Sequence, residues 1–392
     1  MTNQLTSLMP RIVARGLMTL RHKAMLPQLV NSDFSAAAAK RGAIIDVPLS
    51  QPIEAEEVVP AATPPAPPSQ QLSSVPITLN QWHKAAFYLT DQEMDQIEAH
   101  DSFIPLQMGE AIAALARAVN DHLLTLMHEA PHFVGTVGRA PFSPEPTGNT
   151  EPGPETGMRP IIEARRRLNQ AAAPKSGRAF ILDYDTEAAL LSHPHAQEAA
   201  FTAAPNPQTL EGEIGRRFGF GFYATDSVHT DEAPLNTVSP SSTYGKGNIN
   251  LFLKHPFATL PPGPVYIPPF NEPCRMANRS IASSNRSQLL LSPGLPRTVT
   301  SSDTLFLTRP PTAGFAFHRD AVALAMRPLT QTGLISGHTG QIMSITDPDS
   351  GLSLRLEVSR QYKQTVWEFD ILWGAALVRP DLVVKIAGAG GL

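Results

Sequence analysis

The sequence predicts an α+β fold with a long helix, an extended β-hairpin, a small all-β segment and a terminal pair of long strands. Near the C-terminal end, two uninterrupted runs alternate apolar and polar residues with the period of 2 that marks half-buried strands. Between residues 105 and 129 the apolar residues instead recur at helical spacing. Between residues 245 and 311 helical signals vanish, and short strand-like runs alternate with turn-forming residues.

Length and composition restrict the class of protein. The chain has 392 residues, enough for two or three cores, because domains usually run to roughly 100–200 residues. Its net charge of −4 lacks the basic excess of a dedicated nucleic-acid binder. Its 38 prolines are about twice average usage and predict extended loops and arms rather than a tightly wound α/β enzyme. The single cysteine, Cys274, excludes an internal disulfide and any multi-cysteine metal site. No apolar run approaches the ~18–20 residues of a membrane span, so we expect a soluble protein.

Residues 1–41 are predicted to form an N-terminal arm. Over residues 11–26 the pattern is that of an amphipathic helix closed by Pro27, with apolar positions at Ile12, Val13, Leu17, Leu20 and Leu26. The first 32 residues contain four basic residues and no acidic one, which also resembles an organellar transit peptide. We expect the arm to pack against another surface.

Residues 42–80 are predicted to form a projecting loop. A strand from Ile44 to Leu49 is matched by a returning stretch from Val75 to Leu79, which continues through Phe87 and Leu89. Between them, Val59–Gln71 is rich in proline and typical of polyproline-like coil. An isolated hairpin is only marginally stable in water. We therefore expect the loop to lie on another subunit.

The longest predicted helix runs from about Pro105 to Glu129, after a short helix over Asp91–Ala99. At 1.5 Å per residue it would be about 36 Å long, the length of a spine rather than of an ordinary packing helix. Its apolar stripe comprises Ile112, Leu115, Val119, Leu123 and Leu126. The polar residues predicted to point away are Glu110, Arg117, Asn120 and Asp121.

The remaining elements follow in order. A helix Ile161–Ala173, a strand Arg178–Leu182 and a helix near Thr186–Leu191 predict a small mixed domain. Residues 245–311 predict a small β-barrel or sandwich. Phe315 to Arg327 is predicted to return to a helical or strand–helix pattern. The terminal hairpin follows, its two apolar faces formed by Leu352, Leu354, Leu356 and Val358 and by Thr365, Trp367, Phe369, Ile371 and Trp373.

One stretch matches a catalytic motif. His128-Glu129-Ala130-Pro131-His132 fits the H-E-x-x-H pattern of zinc proteases, which requires both imidazoles on one helical turn. Pro131 would break that turn, so we interpret the stretch as a helix end with exposed histidines. A zinc-dependent hydrolase that uses His128, Glu129 and His132 stays open as the alternative.

Other motifs have structural interpretations. His193-Pro194-His195 is typical of an extended loop, and His318-Arg319-Asp320 lacks an accompanying nucleophile elbow. The glycine-rich run from Gly212 to Gly221 lacks the lysine of a phosphate-binding loop. It predicts a turn in which Gly215 and Gly219 permit bends, buried by Phe218, Phe220, Phe222 and Tyr223. Arg216 and Arg217 would then face a neighbour, a polyanion or solvent.

Three dispersed stretches carry a resemblance to a known family: Thr209–Phe220, Phe315–Ala321 and Asp347–Gly374. They resemble the major capsid (coat) proteins of tailed bacteriophages, in the branch of the Hong Kong 97 capsid fold that carries an inserted telokin-like β-domain. The resemblance covers the chain from Leu5 to Gly388. It implies a structural protein, not an enzyme, with no cofactor or metal, that self-assembles into hexamers and pentamers of an icosahedral head around double-stranded DNA. A non-viral shell or a phage-derived transfer particle with the same fold stays open.

The resemblance also implies roles for segments, residues and partners. Arg216, Arg217, Phe218, Gly219, Trp367, Phe369 and Trp373 are the candidates for assembly or structural roles. The partners implied are a scaffolding protein, a portal, packaged DNA bound without sequence specificity and a decoration protein; the location is the virion shell, assembled in the host bacterial cytoplasm. The segments implied are the N-terminal arm (1–41), extended loop (42–80), peripheral domain with the spine helix (81–154), first part of the axial domain (155–244), β insertion (245–311), and second axial part with returning peripheral strands (312–392).

Overall fold

The structure is a computed structural model of the chain. It describes residues 13–20, 23–33, 44–49, 73–92, 106–135, 139–144, 155–193, 213–226, 228, 237–254, 264–265, 274–282, 286–292, 294–295, 297–303, 305–306, 311–327, 341–346 and 352–388. The chain divides into two units, of which the first comprises residues 1–123 and 322–378 and the second residues 124–321 and 379–392.

Helices and strands both occur, which confirms the α+β class. In chain order they are α1 (residues 13–20), α2 (Leu26–Leu29), β1 (Ile44–Leu49), β2 (Ser73–Thr78), β3 (Gln81–Thr90), α3 (Leu106–Met127), β4 (His132–Val134), α4 (Arg159–Gln170), β5 (Arg178–Leu182), α5 (Tyr184–Ser192), β6 (Glu213–Arg217), β7 (Phe220–Ala224), β8 (Thr237–Val238), β9 (Asn250–Phe252), β10 (Pro264–Val265), β11 (Cys274–Ala282), β12 (Arg286–Ser292), β13 (Leu305–Phe306), β14 (Thr312–His318), β15 (Val322–Arg327), β16 (Gln341–Thr346), β17 (Ser353–Gln361), β18 (Gln364–Leu377) and β19 (Val383–Ala387).

The first unit is organised around the 14-residue strand β18. One edge of β18 pairs with β3; the other pairs first with β17 and then, over its last six residues, with β15, all antiparallel. The strand β16 extends the sheet beyond β17. The predicted terminal hairpin is confirmed: Gln361 pairs with Gln364 across a turn in which Lys363 has a φ of 53°.

The long helix is also confirmed, and its apolar stripe is buried in the first unit at Ile112, Leu115, Val119 and Leu123. Helix α1 packs beside it, since a Cβ added to Gly16 would lie 3.0 Å from Ile112 Cδ1 and 3.2 Å from Leu354 Cδ2. Two predictions are wrong here. Asn120 is buried rather than exposed, because its Nδ2 donates a hydrogen bond to the carbonyl oxygen of Lys23 at 3.3 Å. Pro27 lies in the first turn of α2 instead of closing the preceding helix.

Strands β1 and β2 pair antiparallel from Ile44 and Thr78 to Leu49 and Ser73, as predicted. Their inward side chains form a small core with strand β15 and Val378, made of Ile45, Val47, Ile77, Leu79, Ala323, Ala325 and Val378. The returning stretch is two strands rather than one, because Leu79 and Asn80 interrupt the strand between β2 and β3. Val59–Gln71 and residues 93–99 of the predicted short helix lie outside the described residues.

The second unit is built on a six-stranded sheet in the order β4-β19-β14-β5-β7-β6. The β4–β19 and β5–β7 pairs are parallel, and the remaining pairs are antiparallel. The helical or strand–helix prediction for Phe315–Arg327 is wrong: β14 and β15 are strands joined by one 3₁₀ turn. Every residue of β14 is buried, so this central strand lacks the alternation of a half-buried strand.

The small all-β segment is present in the second unit. Strands β10, β11, β12 and β9 form one sheet in that order, and β8 pairs with β13. The side chains between them form a separate apolar core of Leu251, Leu253, Val265, Leu289, Leu291, Leu295, Val299 and Leu305. Its telokin-like character stays a prediction.

Candidate assembly surfaces

The sheet of the first unit has one apolar face and one face of charges and aromatic rings. On the second face Lys84 Nζ lies 3.1 Å from Glu368 Oε2. Arg355 pairs with Glu357 at 2.8 Å and lies 3.8 Å from Asp370. Burial raises the pKa of Asp370, while Arg355 and a hydrogen bond from Trp82 oppose that rise. These pairs place cations and carboxyl groups of neighbouring strands side by side on this face.

Two exposed aromatic rings lie on this charged face, both on the edge strand β3. Trp82 is 61% exposed and Tyr88 62% exposed, and both belong to β3 at positions separated by an even number of residues, so they share a face. Among the described strands, β3 pairs only with β18. Its outer edge therefore presents backbone donors and acceptors beside large aromatic surfaces, the combination that protein interfaces use.

A third exposed aromatic marks the tip of the terminal hairpin. Tyr362 is 86% exposed, and Lys363 Nζ lies 5.3 Å from the centre of its ring. Just before the turn, Arg360 pairs with Asp91 at 2.8 Å and fixes the base of the tip to the end of β3. The hairpin therefore presents an aromatic ring and a cation from a tethered base.

The three aromatic candidates of the terminal hairpin lie in the interior of the first unit. Trp367 is 5% exposed, and Phe369 and Trp373 are fully buried. The Trp373 Nε1–H donates a hydrogen bond to His122 Nδ1 at 3.0 Å, which ties β18 to α3. Burial lowers the pKa of His122, with His83 as the second cause. All three side chains pack inside the unit, and their role in assembly stays a prediction.

The four candidates from the glycine-rich run lie at the turn between β6 and β7. Arg216 is exposed, and the backbone of Arg217 pairs with Phe220. Phe218 and Gly219 have positive φ angles of 51° and 85°. The predicted burial of Phe218 is wrong: its side chain is 42% exposed, because it occupies the turn itself, whereas Phe220 is fully buried. The structure therefore brings an aromatic ring and a cation together at the end of an edge strand, distant in sequence from the tryptophan candidates.

The zinc-motif residues do not share a helical turn, because helix α3 ends before all three of them. The helix ends at Met127, but the interpretation that the histidines are exposed is wrong for His128. It is buried and packs edge-on against Phe315 with ring centres 4.8 Å apart. His132 lies on β4, with its Nε2 3.5 Å from Asp381, and burial lowers its pKa. Glu129 is exposed between them. Within the described ranges, no group of three or more His, Cys, Asp or Glu is arranged to hold a metal.

Two histidines of the other motifs, His193 and His318, are buried. His318 is buried, its Nδ1 accepts the backbone N–H of Asp320 at 3.2 Å, and burial lowers its pKa. His193 is buried after helix α5, and His195 lies outside the described residues.

One surface was missed from the sequence. Helix α4 carries Arg159, Arg165, Arg166 and Arg167 with a single acid, Glu163. Arg159, Arg165 and Arg166 are exposed. The run of three consecutive arginines was the available signal.

Solved structures of phage capsids and of a virus-like particle are similar to this chain. The chain is similar to a structure titled as the capsid of the cyanophage P-SCSP1u, at 11% identity and a TM-score of 0.46, over 94% of this chain and 89% of the other. It is also similar to the capsid of Ralstonia phage GP4, at 9% identity and a TM-score of 0.41, over 91% and 86%. A virus-like particle from Pyrococcus furiosus is similar at 9% identity and a TM-score of 0.42, over 96% and 98%. The chain is similar to phage capsid structures.

Neither a protein-family model nor a curated protein sequence matches this chain. None of the described helices has both the length and the apolar character required to cross a bilayer.

Proposed function

We propose that this chain is a major capsid protein, a subunit that self-assembles into hexamers and pentamers of an icosahedral phage head enclosing double-stranded DNA. The observation that carries the proposal is the order of elements. An N-terminal helical segment, a hairpin, a long helix, a mixed-sheet unit with a small all-β segment, and a returning pair of long strands follow one another as the sequence resemblance implies.

The first unit supplies surfaces suited to self-association. Its charged sheet face exposes Trp82 and Tyr88, and its hairpin tip exposes Tyr362. Aromatic rings that stay exposed next to charged side chains are typical of protein interfaces. We propose that the loop between β1 and β2 lies on an adjacent subunit and that the first unit forms the peripheral domain.

The second unit would supply the axial domain. In this proposal the six-stranded sheet approaches the capsomer axis, and the turn with Arg216, Arg217, Phe218 and Gly219 contacts a neighbour. The small all-β segment stabilises its own subunit. A scaffolding protein, a portal and a decoration protein are the further partners, and the assembled protein resides in the virion after assembly in the host bacterial cytoplasm.

The test is assembly of the full chain, expressed alone and together with its neighbouring phage proteins. Negative-stain microscopy and light scattering are expected to show closed shells of uniform diameter and mass. Monomers or dimers in every condition would contradict the proposal. The nucleic acid and proteins inside shells from infected cells would separate a phage head, which holds the phage genome, from a non-viral shell or a transfer particle.

A further inference from the structure

We propose that the outward face of helix α4 binds the phosphodiester backbone of double-stranded DNA without reading its sequence. The inference rests on the proposed function, because a head subunit is the context in which this chain meets packaged DNA. It adds a binding surface that the order of elements does not assign.

The charge of this segment departs from that of the chain. Across the whole sequence, 31 basic residues are outnumbered by 35 acidic ones. Residues 159–178 instead hold one acid, Glu163, and six basic residues: Arg159, Arg165, Arg166, Arg167, Lys175 and Arg178. A helix face that is merely solvated usually mixes both signs. Six positive charges against one negative charge leave a net charge of +5 over this stretch.

The helix directs three of its four arginines outward. Its buried stripe is Pro160, Ile161, Ala164 and Leu168. Arg159, Arg165 and Arg166 are exposed on the remaining surface. At 1.5 Å per residue the helix is about 18 Å long, which spans roughly five phosphates of one DNA strand at about 3.4 Å each. The arginines are therefore spread over several consecutive phosphates.

The single acid neutralises only part of this charge. Glu163 Oε2 accepts a hydrogen bond from Arg166 Nε at 2.6 Å, and its Oε1 lies 3.3 Å from Arg167 Nε. Arg166 and Arg167 lower the pKa of Glu163, which keeps it ionised. Within the described part of the chain, the carboxylate of Glu163 pairs with Arg166 and Arg167 and not with Arg165. Arg166 and Arg167 thus share one carboxylate, whereas Arg165, just before them, shares none.

A second cation, Arg178 on β5, contacts the last turn of α4. Arg178 is 5% exposed and donates hydrogen bonds to Asn169 Oδ1 at 2.9 Å and to the carbonyl oxygens of Ala173 and Pro174, each at 2.7 Å. Burial lowers the pKa of Arg178, and the positive charge of Arg165 lowers it further. Arg178 is fixed by these bonds, so the repulsion with Arg165 persists. A bound phosphate would relieve it.

The chemistry of the face favours phosphate over an acidic protein. Guanidinium groups bind phosphate oxygens through paired hydrogen bonds. A protein partner would require apolar anchors at the centre of its interface. Along this face Ile162 is the one large apolar side chain that is exposed within α4. The surface therefore fits a uniform polyanion better than a folded protein.

The experiment measures binding of unassembled subunits to a short fluorescent DNA duplex by anisotropy over a range of salt. The variant Arg165→Gln/Arg166→Gln is expected to reduce the slope of log K against log salt by about 1.8, for two phosphate contacts at ~0.9 each. Over a fourfold rise in salt, the wild-type protein should then lose about 12-fold more affinity than the variant. Glu163→Gln frees Arg166 and Arg167 and should strengthen binding.

The control variant is Arg117→Gln/Lys246→Gln, which removes the same charge from two exposed residues elsewhere. It should leave the slope unchanged. Equal slopes for both double variants, or no gain from Glu163→Gln, would overturn the inference. Binding of poly-glutamate in place of DNA would overturn it as well, in favour of an acidic polypeptide. Microscopy of the same preparations scores assembly separately, so shells with unaltered DNA binding would refute the inference and leave the capsid proposal standing.

Discussion

Replacing Gly374 by alanine tests how the β1–β2 hairpin is seated on the sheet of the first unit. A Cβ at this position would lie 2.2 Å from the carbonyl oxygen of Thr78, 2.7 Å from its carbonyl carbon and 3.0 Å from Leu79 Cα. Ordinary contacts begin at 3.4 Å, so the backbone at the end of β2 must move by about 1 Å. All three atoms belong to the backbone, and no side chain can rotate away.

The expected cost of Gly374→Ala is that of overpacking, about 1–3 kcal/mol. For a unit of this size each kcal/mol lowers Tm by about 2–4 °C, so a fall of roughly 2–12 °C is expected by scanning calorimetry of unassembled subunits. The matched control is Gly109→Ala in helix α3, where, apart from the adjoining residues and the backbone of the helix itself, no atom lies within 4 Å of the added Cβ. There alanine should stabilise by about 0.5–1 kcal/mol through its helix propensity.

A Gly374→Ala variant as stable as the wild-type protein would refute the close approach of Thr78 to β18. If it is destabilised as expected, the same variant also bears on assembly, because the displaced strand is the base of the loop that we propose to reach a neighbour.

Three further predictions concern pH, assembly and metal. The pKa of His122 lies below its usual value of 6.5, so at lower pH the unfolded chain binds more protons than the folded chain, and stability falls as pH drops below about 6.5. The variant His122→Asn, which keeps an acceptor for the Trp373 Nε1–H, should weaken that fall in urea titrations at pH 7 and pH 5.5. An unchanged pH dependence would contradict the assignment to His122. Deleting Val59–Gln71, or replacing it with a Gly/Ser segment of equal length, should leave a folded subunit with native circular dichroism but reduce the number of shells seen by microscopy. Normal assembly of both variants would argue against this loop as the contact with a neighbour. The purified protein should carry no stoichiometric zinc by elemental analysis, because His128 follows the end of α3 while His132 lies on β4. Zinc that is present in the wild-type protein and lost in Glu129→Gln/His132→Ala would restore the hydrolase alternative.

The elements that sequence could predict are those whose two faces differ. The run from Leu352 to Trp373 alternates because one side meets helix α3 while the other carries ion pairs such as Lys84 with Glu368. The stripe of α3 was visible for the same reason. Strand β14 was mistaken because it is buried throughout and shows no period. Local patterns report contrast between environments, and a uniformly buried strand has none.

The errors at single residues have tertiary causes. Asn120 looked solvent-exposed by helical position, but the N-terminal segment covers it and supplies the Lys23 carbonyl oxygen as a partner. Phe218 looked like a core residue by composition, but its left-handed backbone at φ 51° places it in the turn. The candidate arginines of α4 required no tertiary information, since three consecutive arginines and one nearby acid are visible in the sequence.

The positions of the tryptophans give this protein an intrinsic fluorescence probe of its first unit. The chain contains three tryptophans, Trp82, Trp367 and Trp373, and all of them belong to the first unit. Two are buried and one is 61% exposed. Fluorescence excited at the red edge of the indole band therefore follows one unit and is silent for the other. Iodide should quench Trp82 in free subunits, so the quenched fraction would measure, without any label, how much of the charged sheet face is covered as shells close.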